Sequence, residues 1–514
     1  MEQETRPILQ TGIVRCVFVA LALVAQIAWI YTVLTGLYAW SELVQLAVTL
    51  LSLFVVFYVF GAEQNSSYRT LWIIVLLAFP VFGLMLYGIF SETLGMRVLR
   101  RRFERVDSSL EGSVTQDAQV LLDLKDYSRQ LHNQAQYLVQ TGAPVYQNTD
   151  VVYYAEASDG FKAQLEAIDA ATEFVFMEYH AIEDSHSFKH LRAALERKAA
   201  QGVEIRIVYD DMGSIGFINT KFVADMESIG VQCRVFNPLV PTLRAFMNNR
   251  DHRKITVVDG RVGFTGGYNL ADEYFNIVHP YGLWKDTGVR LEGDAVRSLT
   301  VCFLEMWNAI DNTDLGRYNR YLPTIEHEAQ PRGGWVQPYG DSPFDTNLVA
   351  EDVYLNAIKY ASERLWATTP YLIIDDEMTR ELTLAARRGV DVRIVTPGIP
   401  DKPFIYKVTR SYYAQLARHG VRIYEWQPGF LHAKQMLADD QLGLVGTINL
   451  DYRSLYLHFE NGVALYGCPA LRDMEACFKE LFAESREVTA LYANEKNGPL
   501  SLSRRALRLI APLL

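Results

Sequence analysis

The spacing of apolar positions changes along the chain, and each change predicts a different kind of structure. Three near-continuous apolar runs come first, at 16–40, 43–60 and 71–90, none with a charged residue. A helix of about 20 residues crosses a bilayer core. The first and third runs reach that length and the second comes close, which predicts a membrane anchor of two or three transmembrane helices over residues 1–95. The first run is too long for a removable signal peptide and lacks its small-residue cleavage pattern. The second could pair with it as a tight hairpin around Ser41-Glu42. Trp40, Tyr68, Trp72 and Tyr87 near the run ends suit the interfacial aromatic belt. Pro80 and Gly83 predict a kink in the third run.

At 96–144 the pattern turns basic and then amphipathic: Arg97, Arg100, Arg101, Arg102 and Arg105 precede Leu121, Leu122, Leu124, Leu131 and Leu138 at helical spacing. This predicts a basic juxtamembrane segment and a connector helix. The positive-inside rule places the arginines and everything after them in the cytoplasm, with the N-terminus outside for three spans and inside for two.

Beyond residue 145, short β-branched runs alternate with amphipathic helical stretches, which predicts α/β architecture. The series occurs twice: 172–182 corresponds to 363–373, 199–211 to 385–398, and 229–238 to 419–428. Two pseudo-twofold-related halves are therefore expected, 145–315 and 343–500, joined by a Pro- and Gly-rich linker at 316–342. A basic amphipathic tail, 501–514, suits either the membrane interface or docking on the second half.

The formal net charge of −11 argues against a nucleic-acid binder that relies on a basic surface. The five cysteines form no C-x-x-C pair and read as scattered buried thiols rather than as a zinc site or disulfide framework.

The chemistry is concentrated in 248–274, which carries His252, Lys254, Asp259, Gly266, Gly267 and Asn269. A second copy carries His432, Lys434, Asp439, Gly446, Thr447 and Asn449, each offset by 180 positions. On a strand, residues two apart share a face, so each histidine has a lysine beside it. Two ammonium groups repel a metal cation, so no metal or cofactor is expected, but they suit an anionic phosphate. Transfer at a phosphodiester needs charge neutralisation, a nucleophile and a leaving-group acid, and two histidines supply the last two. Each ring then needs an orienting acceptor. Asp286 and Glu460, placed 34 and 28 residues after His252 and His432 respectively, are the expected partners.

The doubled H-x-K-x-x-x-x-D followed by G-(G/S/T)-x-N resembles the phospholipase D superfamily. With the apolar runs, NLDYRS and the basic C-terminal end, the chain resembles bacterial cardiolipin synthases. That resemblance implies an α/β fold of two pseudo-twofold-related halves with a shared active site, following N-terminal transmembrane helices. It also implies transphosphatidylation: one phosphatidylglycerol loads a phosphatidyl group onto a histidine, glycerol leaves, and a second phosphatidylglycerol displaces the histidine to give cardiolipin. By family analogy His252 is the nucleophile and His432 the acid/base, although the residues themselves do not distinguish the two. Lys254, Lys434, Asn269 and Asn449 would bind phosphate oxygens, and Gly267 and Thr447 are counted with the phosphate-binding set. Gly267 stands where the family pattern has serine, which puts a hydroxyl's role in the first half in doubt. Asp259 and Asp439 are counted with the catalytic set, while their turn placement equally fits a structural role. The implied partners are phosphatidylglycerol, other anionic phospholipids and the membrane, with no nucleic acid and with homo-oligomerisation left open. The implied location is the inner (cytoplasmic) membrane, multi-pass, with both catalytic halves in the cytoplasm. The alternative is a phospholipase D-type phosphodiesterase of the same chemistry, with water replacing the second lipid and phospholipid, or secondarily nucleic acid, as its substrate.

Overall fold

The computed structural model describes residues 21, 23–31, 41–62, 65–90, 94–219, 221–238, 248–314, 316–327, 333–494 and 507–513. The first apolar run lies largely outside them, as do Trp40 and the tail arginines Arg504 and Arg505. Among the described residues one helix, Glu42–Phe60, is long and apolar enough to cross a membrane. The third run does not form the expected single span. It forms two helices, Ser66–Ala78 and Pro80–Phe90, separated at Phe79. Edge-to-face packing of Trp72 on Tyr87, with ring centroids 5.2 Å apart, shows that they fold back on each other. Gly83 makes the close approach feasible, since a Cβ there would stand 2.8 Å from the Val75 carbonyl oxygen. Proline at the first helical position and a small residue one turn later thus convert the expected kink into a hairpin.

The connector also departs from a simple spacer. Helix Leu94–Leu110 exposes Arg97, Arg101, Arg102 and Arg105 and buries Phe103, Val106 and Leu110. Phe103 stacks on Phe459 at 4.6 Å and meets Phe236 and Phe344 edge-on, inserting this helix into the core shared by the two halves. Helices Ala118–Tyr127 and Arg129–Gln140 break at Ser128, whose hydroxyl caps the second. Leu124, Leu131 and Leu138 are buried there, whereas Leu122 faces solvent.

The first half contains strands β1 (Thr149–Tyr154), β2 (Phe174–Tyr179), β3 (Glu204–Asp210), β4 (Gln232–Phe236), β5 (Lys254–Val258), β6 (Val262–Gly266), β7 (Leu283–Lys285) and β8 (Gly288–Gly293). The second contains β9 (Trp335–Asp341), β10 (Arg364–Thr368), β11 (Asp391–Pro397), β12 (Arg422–Trp426), β13 (Gly429–Leu431), β14 (Gln435–Ala438), β15 (Leu442–Gly446), β16 (Glu460–Tyr466) and β17 (Ser485–Glu487). One sheet runs β1-β8-β6-β5-β2-β3-β4 and the other β9-β16-β15-β14-β10-β11-β12-β17, so the strand order is the same apart from the added β17. Helices between parallel strands bury their apolar stripes on the sheets, as in right-handed crossovers.

The expected linker 316–342 is shorter than its composition suggests. Tyr318 and Tyr321 are buried against the first half, and β9 is the edge strand of the second sheet, where Pro338 is tolerated. Tyr146 and Val336 exchange backbone hydrogen bonds at 2.8 Å, tying the two halves together along this edge. The described end of the tail docks on the second half, with Ala511 buried, Leu507 packed on its core and Arg508 donating to Gln415 at 2.6 Å.

Candidate active site

Each histidine is held by the half it does not belong to. The His252 amide donates to the Phe459 carbonyl at 2.8 Å, and the Phe459 amide donates to the Arg250 carbonyl at 2.8 Å. The His432 amide donates to the Lys285 carbonyl at 2.8 Å, extending the short parallel pairing of β7 with β13. These inter-half ladders set Glu460 beside His252 and Asp286 beside His432. The His252 Nδ1 lies 2.9 Å from both Glu460 oxygens, and the His432 Nδ1 lies 2.6 Å from Asp286 Oδ2. The expected pairing of each carboxylate with the histidine of its own half is therefore corrected: the partners are crossed. The cause is backbone geometry, since each carboxylate directly follows a residue hydrogen-bonded to the other half's histidine segment. Neither half contains a complete histidine–carboxylate pair.

The two lysines are buried next to their histidines. Lys254 Nζ donates to the His252 carbonyl at 2.8 Å. Lys434 Nζ stands 2.7 Å from His432 Nδ1 and also donates to the His432 carbonyl. Burial lowers the Lys254 pKa to about 8 and the Lys434 pKa to about 7, opposed by nearby carboxylates. Burial, followed by repulsion from the lysines, holds both catalytic-motif histidines well below their ordinary value and so neutral in the empty site. Burial also raises Asp286 to about 7.

Gly267 and Thr447 serve the orienting carboxylates. A Cβ at Gly267 would stand 2.0 Å from Asp286 Oδ1, so glycine there gives Asp286 its place. The Thr447 hydroxyl donates to Glu460 Oε2 and accepts from the Asn461 amide at 3.0 Å. The departure from serine in the first copy follows: the carboxylate occupies the space a hydroxyl would need. Asn269 accepts from the Ala181 amide at 3.1 Å and donates to the Tyr274 hydroxyl at 2.7 Å, whereas the buried Asn449 Oδ1 has no hydrogen-bond partner.

Asp259 and Asp439 lie away from the histidines, at the far ends of β5 and β14, five and four residues long, with Asp259 ~16 Å from Lys254 by strand rise. Asp259 has φ 52° in the hairpin turn, and its carboxylate accepts from Thr172 N, Thr172 Oγ1, Glu173 N and Phe174 N, each at 2.8 Å. Asp439 holds Ser362, Glu363 and Arg364 in the same way. Their inclusion among catalytic residues is corrected: each stitches a β-hairpin to the start of the neighbouring strand. Asp259→Ala should lower stability by about 3 kcal/mol through loss of this charged hydrogen-bond cluster, while activity per folded molecule stays near wild type. Chemical denaturation alongside active-site titration checks it.

Several residues around the histidines carried no periodic or motif signal. His180 packs on His252 at 4.9 Å and donates from Nδ1 to the Asp251 carbonyl at 2.7 Å. His458 packs on His252 at 5.5 Å, buried, with neither ring nitrogen in a hydrogen bond and Nδ1 3.7 Å from Glu460 Oε1. The His432 side is aromatic instead, with Tyr274, Trp284 and Phe430 at 5.3, 5.3 and 5.8 Å. Lone histidines and aromatics of this kind give no sequence signal beyond core packing. His252, His458 and Glu460 bring ligand-type atoms within 4.8 Å of one another, but Glu460 is committed to His252 Nδ1 and Lys254 acts on the same carboxylate, an arrangement suited to an anion rather than a cation.

Two histidine–lysine segments, each with a carboxylate of the other half on its ring, thus meet between the halves. Residues 165–307 and 354–482 match the family described as cardiolipin synthase, phospholipase D-like domain, and residues 49–92 match the phospholipase D-nuclease N-terminal family. An uncharacterised protein of Streptococcus mutans is 39% identical over 460 residues, covering 89% of this chain and 99% of that protein. Cardiolipin synthase 2 of Bacillus cereus is 32% identical over 468 residues, covering 89% and 88%. Phosphatidylserine synthase of Haemophilus influenzae Rd KW20 shares the fold with a TM-score of 0.57 at 13% identity, over 74% of this chain and 99% of that one. The chain belongs to the cardiolipin synthase family of phospholipase D-like proteins.

Proposed function

We propose that this protein is a membrane-bound phosphatidyltransferase that condenses two phosphatidylglycerol molecules into cardiolipin and glycerol through a phosphatidyl-histidine intermediate. The observation that carries the reading is the convergence of two histidine–lysine strands with crossed carboxylates, in a chain with family membership and an apolar helix at Glu42–Phe60. His252, whose Nδ1 faces only Glu460, carries its proton there and leaves Nε2 with a lone pair for phosphorus. His432, whose Nδ1 meets both Asp286 and Lys434, sits in a network that can take up and return a proton. Attack by His252 Nε2 forms the P–N bond and breaks the bond to the glycerol oxygen, which takes a proton from His432. The terminal hydroxyl of a second phosphatidylglycerol then gives its proton to His432, forms the new P–O bond and releases His252. Lys254, Lys434, Asn269 and Asn449 hold the non-bridging oxygens. The apolar helix and the Ser66–Phe90 hairpin anchor the catalytic halves at the cytoplasmic surface, in keeping with the exposed arginines of helix Leu94–Leu110.

Purified protein given phosphatidylglycerol in vesicles should release glycerol and cardiolipin in equal amounts. Phosphatidic acid as the dominant product would replace this reading with a phospholipase. Because the lysines of the empty site titrate near 7 to 8 and bind phosphate when protonated, kcat/KM should fall as pH rises through that range. Lys434→Arg, which stays charged, should move this limb upward or remove it in a kcat/KM–pH profile.

A further inference from the structure

Two loops, one from each half, meet in front of His432. Residues 276–283 fold back on β7, because Asn276, with φ 55°, accepts from the Trp284 amide at 2.8 Å and donates to the Trp284 carbonyl at 2.9 Å. Residues 398–404 follow β11 and dock on β13 through the Ile399 amide, which donates to the Gly429 carbonyl at 3.1 Å. The loops touch at Gly282, where a Cβ would stand 3.2 Å from Ile399 Cδ1. Their outer surface carries Ile277, Val278, Leu283, Ile399 and Phe404, exposed by 45, 46, 48, 41 and 48%. Solitary exposed apolar residues are ordinary, but five large ones on two touching loops form a patch that calls for a cover.

Three further observations name the cover. Beside these loops an aromatic path leads to His432: Trp284, next to Leu283 in β7, lies 4.8 Å from Phe430, Tyr371 lies 6.4 Å from Phe430, and Trp284 and Phe430 both pack on His432. The charge of the patch is cationic on balance: Lys402 and Lys407 are exposed, while Asp401, the one carboxylate on 398–404, accepts from the Tyr371 hydroxyl at 2.6 Å and lies 3.6 Å from Lys402 Nζ. The N-terminal hairpin is fastened at the same end of the second sheet. Asn65 Nδ2 donates to Asp375 at 3.2 Å in the loop after β10, and β10 is parallel to β11, so both loops leave the sheet on one side.

We propose that the rim formed by Ile277, Val278, Leu283, Ile399 and Phe404 inserts into the surface of an anionic bilayer and seats the His432 side of the site on the membrane. Lys402 and Lys407 meet lipid phosphates, and the acyl chains of the incoming lipid stay in the bilayer while its headgroup passes along Tyr371, Phe430 and Trp284 to His432. This rests on the lipid-transfer reading above. Apolar side chains at the headgroup boundary with flanking lysines are the arrangement that holds monotopic surfaces on membranes.

The test compares the full chain with a variant carrying serine at Ile277, Val278, Leu283, Ile399 and Phe404, on two forms of phosphatidylglycerol. One is a long-chain lipid in anionic vesicles; the other is a short-chain lipid below its micelle concentration. The variant should lose about tenfold or more in kcat/KM on vesicles and stay within about twofold on monomers. Equal activity on vesicles, or an equal loss on both substrates, overturns the rim's role. A parent chain that makes no cardiolipin from either substrate refutes the lipid-transfer reading instead. The rim is then judged by Phe404→Trp, whose added fluorescence should be quenched by brominated lipids in anionic vesicles, while Leu122→Trp on the connector is not. Quenching of neither or of both overturns it.

Discussion

Alanine at either His252 or His432 is expected to reduce cardiolipin formation by about three orders of magnitude or more, because in the proposed reaction each ring acts in a bond-making or bond-breaking step that no neighbour can take over. His180 and His458 flank His252, but His180 is committed through Nδ1 to the Asp251 carbonyl, and His458 reaches Glu460 only at 3.7 Å. The two variants should nevertheless fail differently. A phosphatidyl ester with an activated aryl leaving group needs no acid to depart. With that donor His432→Ala should release one equivalent of phenol and accumulate a phosphatidyl adduct on His252, detectable as a mass shift on the peptide that contains it. His252→Ala should release none. An adduct on His432, or a burst from His252→Ala, would reverse the assignment of the two rings. A fully active single variant would refute a shared site altogether.

Much of this was legible in the chain, for definite reasons. Strand periodicity placed each lysine beside its histidine, and the 180-residue offset announced two halves with equivalent sheets. Asp286 and Glu460 were visible as orienting groups, but their partners were not. The crossing depends on pairings between β7 and β13 and between Asp251 and Phe459 that are too short to carry a hydrophobic period. Composition misled at β9, where Pro338 and the glycines read as linker although an edge strand accepts them. It misled again at the third apolar run, because a turn at Phe79-Pro80 lined with apolar residues looks continuous to any hydropathy window. The rim before His432 was invisible for a related reason: its five apolar residues come from two stretches more than a hundred positions apart and share a surface only once the halves join.

The crossed carboxylates give the sharpest remaining test, since conservative amides should separate the two half-reactions. In Glu460→Gln the oxygen held by the Thr447 hydroxyl remains a carbonyl, so the new amide N–H₂ faces His252 Nδ1. Nδ1 lies 2.9 Å from both oxygens, so the ring loses one of its two acceptors and the tautomer with a lone pair on Nε2 is held less firmly. In Asp286→Asn the Thr287 amide keeps Oδ1 as the carbonyl at 2.9 Å, and the amide N–H₂ faces His432 Nδ1. His432 then cannot take the proton of the incoming hydroxyl. Both variants should lose steady-state turnover, by up to the roughly 10⁴ that a wrong histidine tautomer produces in the unrelated serine-protease triad. With the activated donor they part company: Asp286→Asn should give a full burst and a stalled phosphatidyl-His252, while Glu460→Gln should give a slowed burst. Had each carboxylate served the histidine of its own half, these two outcomes would be exchanged, so a full burst from Glu460→Gln with a slowed one from Asp286→Asn would contradict the crossed arrangement. In the proposed reaction each half supplies the ring for one step and the carboxylate for the other, so the joined pair of halves would be the smallest unit able to complete a turnover.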